Sequence, residues 1–171
     1  AQADFVTAPS RAVLDAVRGH YGLDLARSAV IANPSELPPQ RWDAARCNRS
    51  ALLFVGRFDA HKGGDVVLGA FARLAQSNPD LTLTFVGPDF GVRDEVADVV
   101  GFEVFCRRVL SPQLRSRINF TGALSHAEVM ALRTRHFITI CASRSENFPY
   151  SVLEAMSLGS PVIASAVGGI P

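Results

Sequence analysis

Five consecutive apolar residues, Ala51-Leu52-Leu53-Phe54-Val55, place the tightest limit on what this chain can fold into. Side chains of a strand alternate between its two faces, so a strand apolar on both must be covered on both. That is the setting of a parallel strand with helices packed above and below. Leu81-Thr-Leu-Thr-Phe-Val86 and Phe137-Ile-Thr-Ile-Cys141 read as further strands, and Pro161-Val-Ile163 as another buried one. Helical patterns separate them. Val67, Ala70, Phe71 and Leu74 recur at i, i+3, i+4, i+7 and the pattern ends before Pro79; a second pattern leaves Pro149 and stops at Gly159. The expected fold class is α/β, with a doubly wound, parallel, Rossmann-like sheet.

Residues 1–33 read as strand (Phe5-Val6-Thr7), helix and strand (Ala29–Ala32), with Ser10 as N-cap, an apolar stripe of Val13, Leu14 and Val17, and Gly19 or Gly22 at the helix end. Residues 34–50 carry Pro34, Pro38, Pro39 and no periodicity, which suits a linker, with Trp42 as a lone anchor. Residues 51–171 hold the main α/β unit. Between Gly91 and Pro112, Val96–Val100 and Phe102–Leu110 look helical. Ile118-Asn-Phe120 reads as a strand with a turn at Gly122. Ser125-His126-Ala127-Glu128 is a capping box, which makes Glu128 structural.

Several function classes drop out early. The chain has 171 residues with 17 basic against 16 acidic side chains, so its near-neutral charge offers nothing for nucleic acid. No apolar run approaches the ~20 residues of a membrane-spanning helix. Cys47, Cys106 and Cys141 lie far apart with no Cys-x-x-Cys, so neither a zinc site nor a disulfide framework is expected, and a reducing cytoplasm fits best. The four histidines show no metal-ligand spacing. No G-x-G-x-x-G occurs, which counts against a dinucleotide-binding dehydrogenase, and the glycine-rich loop at 56–64 is no Walker A motif because Gly63 follows Lys62.

Two stretches carry chemistry. Gly56-Arg57-Phe58-Asp59-Ala60-His61-Lys62-Gly63-Gly64 joins a strand to a helix and brings two fixed cations and three glycines to the strand's carboxyl end. Glycines let backbone approach a phosphate, and cations offset its charge. Ser143-Arg-Ser-Glu-Asn-Phe-Pro-Tyr-Ser-Val-Leu-Glu154 places Glu146 on a loop and Glu154 in the first turns of a helix, again where open α/β sheets bind ligands. Plainer readings stand beside these. Ser151 and Glu154 have capping-box spacing, Glu146 suits a solvated loop, Arg57 and Lys62 suit a solvated pair, and Gly87 suits an ordinary turn as well as a nucleotide contact.

Glu146 to Glu154 resembles the E-x7-E motif of retaining glycosyltransferases of the GT-B fold, the glycosyltransferase family 4 type. Glu154-Ala-Met-Ser-Leu-Gly-Ser-Pro-Val-Ile-Ala-Ser and Gly168-Gly169-Ile170-Pro171 continue that pattern, and Gly56-Arg57 with Lys62-Gly63 resembles its "GR…KG" segment. Ala3-Asp4-Phe5-Val6 with Ser10 resembles the end of the family's acceptor domain. Asn33-Pro34 departs from the usual Asn-Gly, and Pro149 stands where some members have Gly.

The resemblance implies half of a GT-B fold. Residues 1–33 would be a remnant of the N-terminal acceptor domain, 34–50 the linker, and 51–171 a donor domain incomplete at its C-terminus. The implied reaction moves a sugar from a UDP-, GDP- or ADP-linked donor to an unknown hydroxyl acceptor (glycan, lipid or small molecule), with retention and without metal or cofactor. Glu146, Arg57 and Lys62 would be catalytic. Gly56, Arg57, Lys62, Gly87, the N–H groups of Tyr150 and Ser151, and Glu154 on the ribose would bind the donor. Location would be cytoplasmic, with the inner face of a membrane as an alternative through peripheral attachment of the full-length protein. Two other classes stay open: a non-catalytic nucleotide- or sugar-binding module, and a glycoside hydrolase using the two glutamates, against which the basic loop argues.

A GT-B site lies between two domains, and the proximity of oriented reactants contributes up to ~7–11 kcal/mol. These 171 residues alone are therefore expected to bind a nucleotide sugar weakly and to transfer no sugar at an enzymatic rate. Following product formation with candidate donors and acceptors checks this, and sustained turnover by the chain alone would overturn it.

Overall fold

A computed structural model describes residues 3–35, 38–93 and 98–171. A small first unit comprises β1 (Val6–Ala8), α1 (Arg11–Tyr21) and β2 (Ser28–Val30), the two strands pairing in parallel. Ser10 caps α1 by accepting from the Val13 N–H at 3.4 Å, and Gly22 ends it. Ala8, Leu14 and Leu25 make a core of their own beneath this unit.

The main unit follows as β3 (Asn48–Val55), β4 (Phe58–Asp59), α2 (Gly64–Ser77), β5 (Thr82–Val86), β6 (Asp89–Arg93) and β7 (Val99–Val100). It continues through α3 (Phe102–Val109), α4 (Pro112–Arg115), β8 (Ile118–Gly122), α5 (His126–Arg135), β9 (His136–Cys141), α6 (Tyr150–Leu158) and β10 (Val162–Ala164). Five of these strands form one sheet in the order β10-β9-β3-β5-β8, every pair parallel. The chain steps outward from β3 to β5 and β8, then returns to the other side of β3 as β9. Loops leaving β3 and β9 therefore diverge at their carboxyl ends, and a crevice opens there.

The apolar run in β3 divides the core as alternation requires. Leu52 and Phe54 join Val67, Leu68, Phe71 and Ala75 of α2 with Phe102 and Cys106 of α3. Leu53, from the opposite face, packs with Val86 and with Val129 of α5. The larger cluster centres on Phe85, whose ring lies 4.3 Å from Phe54, 4.9 Å from Phe102, 5.7 Å from Phe120 and 5.9 Å from Phe58. Trp42 pins the preceding stretch to the sheet: its indole N–H donates to the His136 carbonyl and its backbone N–H to that of Leu158, both at 2.9 Å. No described helix is long and apolar enough to cross a membrane.

Four readings change. Val99–Val100, expected to be helical, is a strand, pairing antiparallel with Val92 and Arg93; β-branched residues with a partner strand at hand favour extended backbone. Val96, the start of that segment, lies outside the described residues. The buried ridge of α2 is Gly64, Val67, Leu68, Phe71 and Ala75, while Ala70 and Leu74 face outward. Both sets fit a 3.6-residue period, and the close seat of Gly64 against Phe58 and Phe85 selects the rotation. β10 is an edge strand, not a buried one, with Ile163 57% exposed. β3 reaches back to Asn48, so the strand takes in the last three residues of the expected linker stretch.

Phe85→Ala should lower stability by about 3–5 kcal/mol, because the ring is fully buried and its neighbours cannot all collapse into the space. Urea unfolding reads this as a lower midpoint at unchanged slope. A loss under about 1 kcal/mol would place the centre of the core elsewhere.

Candidate functional site

The crevice between the ends of β3 and β9 gathers the charged residues of both loops. At the end of β3, the Gly56 N–H donates to the Val86 carbonyl at 2.9 Å. Gly87, at φ 141°, lies flat against this turn, and a Cβ there would sit 2.1 Å from the Gly56 carbonyl oxygen. Close seating of one strand end on the next therefore accounts for glycine at 87.

Beyond Gly56 the loop is organised by Asp59, whose residue is 9% exposed. One of its oxygens takes the Arg57 Nε at 2.9 Å and the other accepts the Lys62 backbone N–H at 2.8 Å. The Arg57 guanidinium also lies over the Phe90 ring, 5.3 Å from its centroid. Lys62 reaches across the crevice, and its Nζ donates to Glu146 Oε2 at 2.7 Å. Ser143 donates to the same oxygen at 3.2 Å, and the Glu146 side chain is only 8% exposed. Glu146 is thus no freely solvated loop carboxylate. Its backbone is seated as tightly: the Gly169 N–H donates to its carbonyl at 2.9 Å, and a Cβ on Gly168, at φ 55°, would lie 1.9 Å from that oxygen.

Arg144 locks the two loops together. Its backbone N–H donates to the His61 carbonyl at 2.7 Å and its Nη1 to that of Ala60 at 2.8 Å. Its guanidinium also grips Asp65, in the first turn of α2, at 2.8 and 2.7 Å. Burial works to raise the Asp65 carboxyl, but Arg144's hydrogen bonds and charge, together with the Val66 and Asp65 backbone N–H groups, outweigh it and hold the group below the ordinary carboxylate value. The 143–149 loop is held from a third side by Ser10, whose hydroxyl donates to the Asn147 carbonyl at 2.8 Å.

Glu154 belongs to a second group, on α6. Its Oε2 accepts from Arg133 Nη2 at 3.0 Å, and its Oε1 lies 3.5 Å from His126 Nδ1. α6 starts at Tyr150 after Pro149, so Ser151 is its second residue and the capping-box reading of Ser151 with Glu154 is not realised. That spacing matched, but with Pro149 at the cap position the helix starts ahead of Ser151, which is left inside its first turn. The Ser125–Glu128 box does form, with the Ser125 N–H donating to Glu128 at 2.8 Å. The Tyr150 N–H turns back to the Phe148 carbonyl at 3.0 Å, so of the two N–H groups expected to face the crevice only that of Ser151 is not spoken for in this way.

Arg133, Arg144, Asp59 and Ser143 have no counterpart among the residues singled out from the sequence. Arg133 is fully buried, bonding Thr139 at 3.3 Å as well as Glu154, and its Nε has no partner among the described residues. Burial pushes its guanidinium down from the ordinary value, and Glu154 opposes that shift. Among the described residues no three His, Cys, Asp or Glu side chains converge to hold a metal ion.

Chemically, the crevice offers Arg57 and Lys62 as fixed cations and a buried carboxylate at Glu146, and the second group on α6 adds the helix start with its aligned peptide dipoles and a partly exposed carboxylate at Glu154. Cations and helix N-termini favour phosphate oxygens, and carboxylates accept from hydroxyls.

Comparison with known proteins bears on this arrangement. The model of the family described as glycosyl transferases group 1 matches residues 42–171. Glycogen synthase of Mycobacterium tuberculosis is 30% identical over 173 residues, which cover 99% of this chain and 39% of that protein. D-inositol 3-phosphate glycosyltransferase of Mycobacterium bovis is 30% identical over 169 residues, covering 88% of this chain and 32% of that protein. The chain thus spans well under half the length of these curated relatives. Among solved structures, Anabaena HepE in complex with UDP and glucose superposes with a TM-score of 0.75 at 23% identity, over 98% of this chain and 46% of that one. Sucrose-phosphate synthase from Thermosynechococcus elongatus gives 0.73 at 26% identity, over 99% and 42%.

Removing the Glu154 carboxylate leaves a buried guanidinium with Thr139 alone. Glu154→Ala should therefore cost about 3 kcal/mol, more than the ~1 kcal/mol of a lost cap. Chemical denaturation measures this, and unchanged stability would show that Arg133 finds another acceptor.

Proposed function

Because this chain belongs to the group 1 glycosyl transferases, we propose that it supplies the donor-binding half of a GT-B enzyme that moves a sugar from a nucleotide diphosphate to an acceptor hydroxyl with retention, by the family 4 type of chemistry. The observation that carries the reading is the Lys62–Glu146 contact, with Arg57 held by Asp59 on the same loop as Lys62, past the carboxyl end of the central strand. A neutral glycoside needs no such pair of cations, whereas a departing diphosphate does.

On this reading Arg57 and Lys62 hold the donor's phosphates and offset the charge that grows on them as the sugar leaves, which is electrostatic stabilisation of the transition state. The Ser151 N–H at the start of α6 adds a donor to the same phosphates. Glu146, held by Lys62 and Ser143, orients the sugar, and the acceptor hydroxyl attacks from the face the diphosphate leaves. Glu154 accepts from the ribose hydroxyls, and Gly56 lets the nucleotide pass close to backbone. Residues 1–33 are the tail of an acceptor domain, 34–47 the linker and 48–171 the donor domain. The chemistry uses no metal and no cofactor. The donor is a UDP-, GDP- or ADP-sugar. The full-length protein works in the cytoplasm, or at the inner face of a membrane to which it binds peripherally.

A calorimetric screen of UDP, GDP and ADP tests the reading. Arg57→Ala or Lys62→Ala should each weaken the binding nucleotide by roughly ten- to 150-fold, the equivalent of ~1.5–3 kcal/mol for charge-assisted hydrogen bonds. Wild-type affinity in both variants would remove the phosphate assignment.

A further inference from the structure

We propose that Arg133 is a positioning residue for nucleotide binding: a buried cation that anchors one Glu154 oxygen inside the protein and thereby presents the other to the ribose. The inference rests on the reading of Glu154 given above. A guanidinium without water is unfavourable unless paired, and an apolar side chain of similar volume commonly packs there at least as well. Arg133 is nonetheless 0% exposed, on the inner face of α5 beside buried Val129 and Met130. Local hydrogen bonding does not account for it, since its Nε is left without a partner among the described residues.

What the side chain does accomplish is geometric. Nη1 meets Thr139 on β9 at 3.3 Å, and Nη2 meets Glu154 Oε2 on α6 at 3.0 Å. Two contacts from one planar group fix its plane, which a single ammonium cannot do. The carboxylate is thereby divided. Oε2 points inward to Arg133, and Oε1 points outward, where the exposed His126 is the neighbouring group at 3.5 Å. Glu154, His126 and Tyr150 line a cleft of about 520 Å³, and Arg133 does not reach it. Arg133 therefore acts on a ligand only through Glu154. A glutamate already held in one rotamer loses less conformational entropy when hydroxyls dock on it than one that must be ordered at that moment.

The test is a titration of the chain with UDP, GDP and ADP and with their 2′,3′-dideoxy forms. The wild type should prefer the ribonucleotide by about ten-fold or more, the effect of hydrogen bonds to a charged group. In Arg133→Leu the preference should fall to within about two-fold while affinity for the dideoxy form stays the same, an outcome that general loosening of the fold would not give. Should that variant not fold, Arg133→Lys takes its place; with one ammonium for two partners its preference should lie between those limits. A full ribose preference in either folded variant overturns the positioning role, and so does failure of both to fold, which makes Arg133 structural alone. Absence of any ribose preference in the wild type, with nucleotide still bound, is a separate failure: it overturns the reading of Glu154 and this inference with it.

Discussion

Strand β3 is apolar on both faces, and most of the structure follows from covering it. α2 and α3 close one side through Leu52 and Phe54, and α5 closes the other through Leu53. With both faces occupied, the polar business of the domain can only gather at the strand ends. The return of the chain from β8 to β9 then selects which end, because the loops after β3 and β9 part there and leave a gap. Charges 84 residues apart, Lys62 and Glu146, meet in that gap. The hydrophobic core determines where they meet, and the loops determine how.

Much of this was legible because it is local. The runs in β3, β5 and β9 announce strands, Pro149 and Gly159 bracket α6, and Ser125 with Glu128 announces a cap that forms. Arg57, Lys62 and Glu146 lie on loops that follow strands, and with Glu154 on α6 they stand out through the family pattern they resemble. What stayed hidden is non-local. Nothing in the sequence near Arg144 or Asp65 shows that they will grip one another across 79 residues. Nothing in the sequence around Arg133 sets it apart, and only packing of α5 on α6 and β9 reveals it as interior. The ribbon of β6 and β7 has no buried face long enough to leave a period, so its strands could not be told from helix. The spacing of Ser151 and Glu154 misleads because spacing fixes relative position, whereas a cap depends on where the helix begins.

The site is consequently built from two kinds of contact. Arg144 and Asp59 set the positions of the loops through backbone carbonyls and N–H groups, and Gly87 and Gly168 allow the backbone to come close enough. Lys62, Arg57, Glu146 and Glu154 then present charge from that frame. Each of these four already has an opposite charge as partner within 3.0 Å, at Glu146, Asp59, Lys62 and Arg133 respectively. A ligand entering the crevice meets side chains that are held in place by these pairings, and its own oxygens compete with carboxylates for the same cations.

Ser10 gives the small N-terminal unit a hold on this arrangement. The same hydroxyl that accepts from the first turn of α1 donates to the Asn147 carbonyl, one residue past Glu146. Such a hydroxyl is a pivot with two arms. If α1 turns about it, the bond to Asn147 must either break or draw the loop along, and the loop carries Glu146 with it. For as long as that bond holds, the angle of the first unit and the placement of the buried carboxylate are geared together through this oxygen atom.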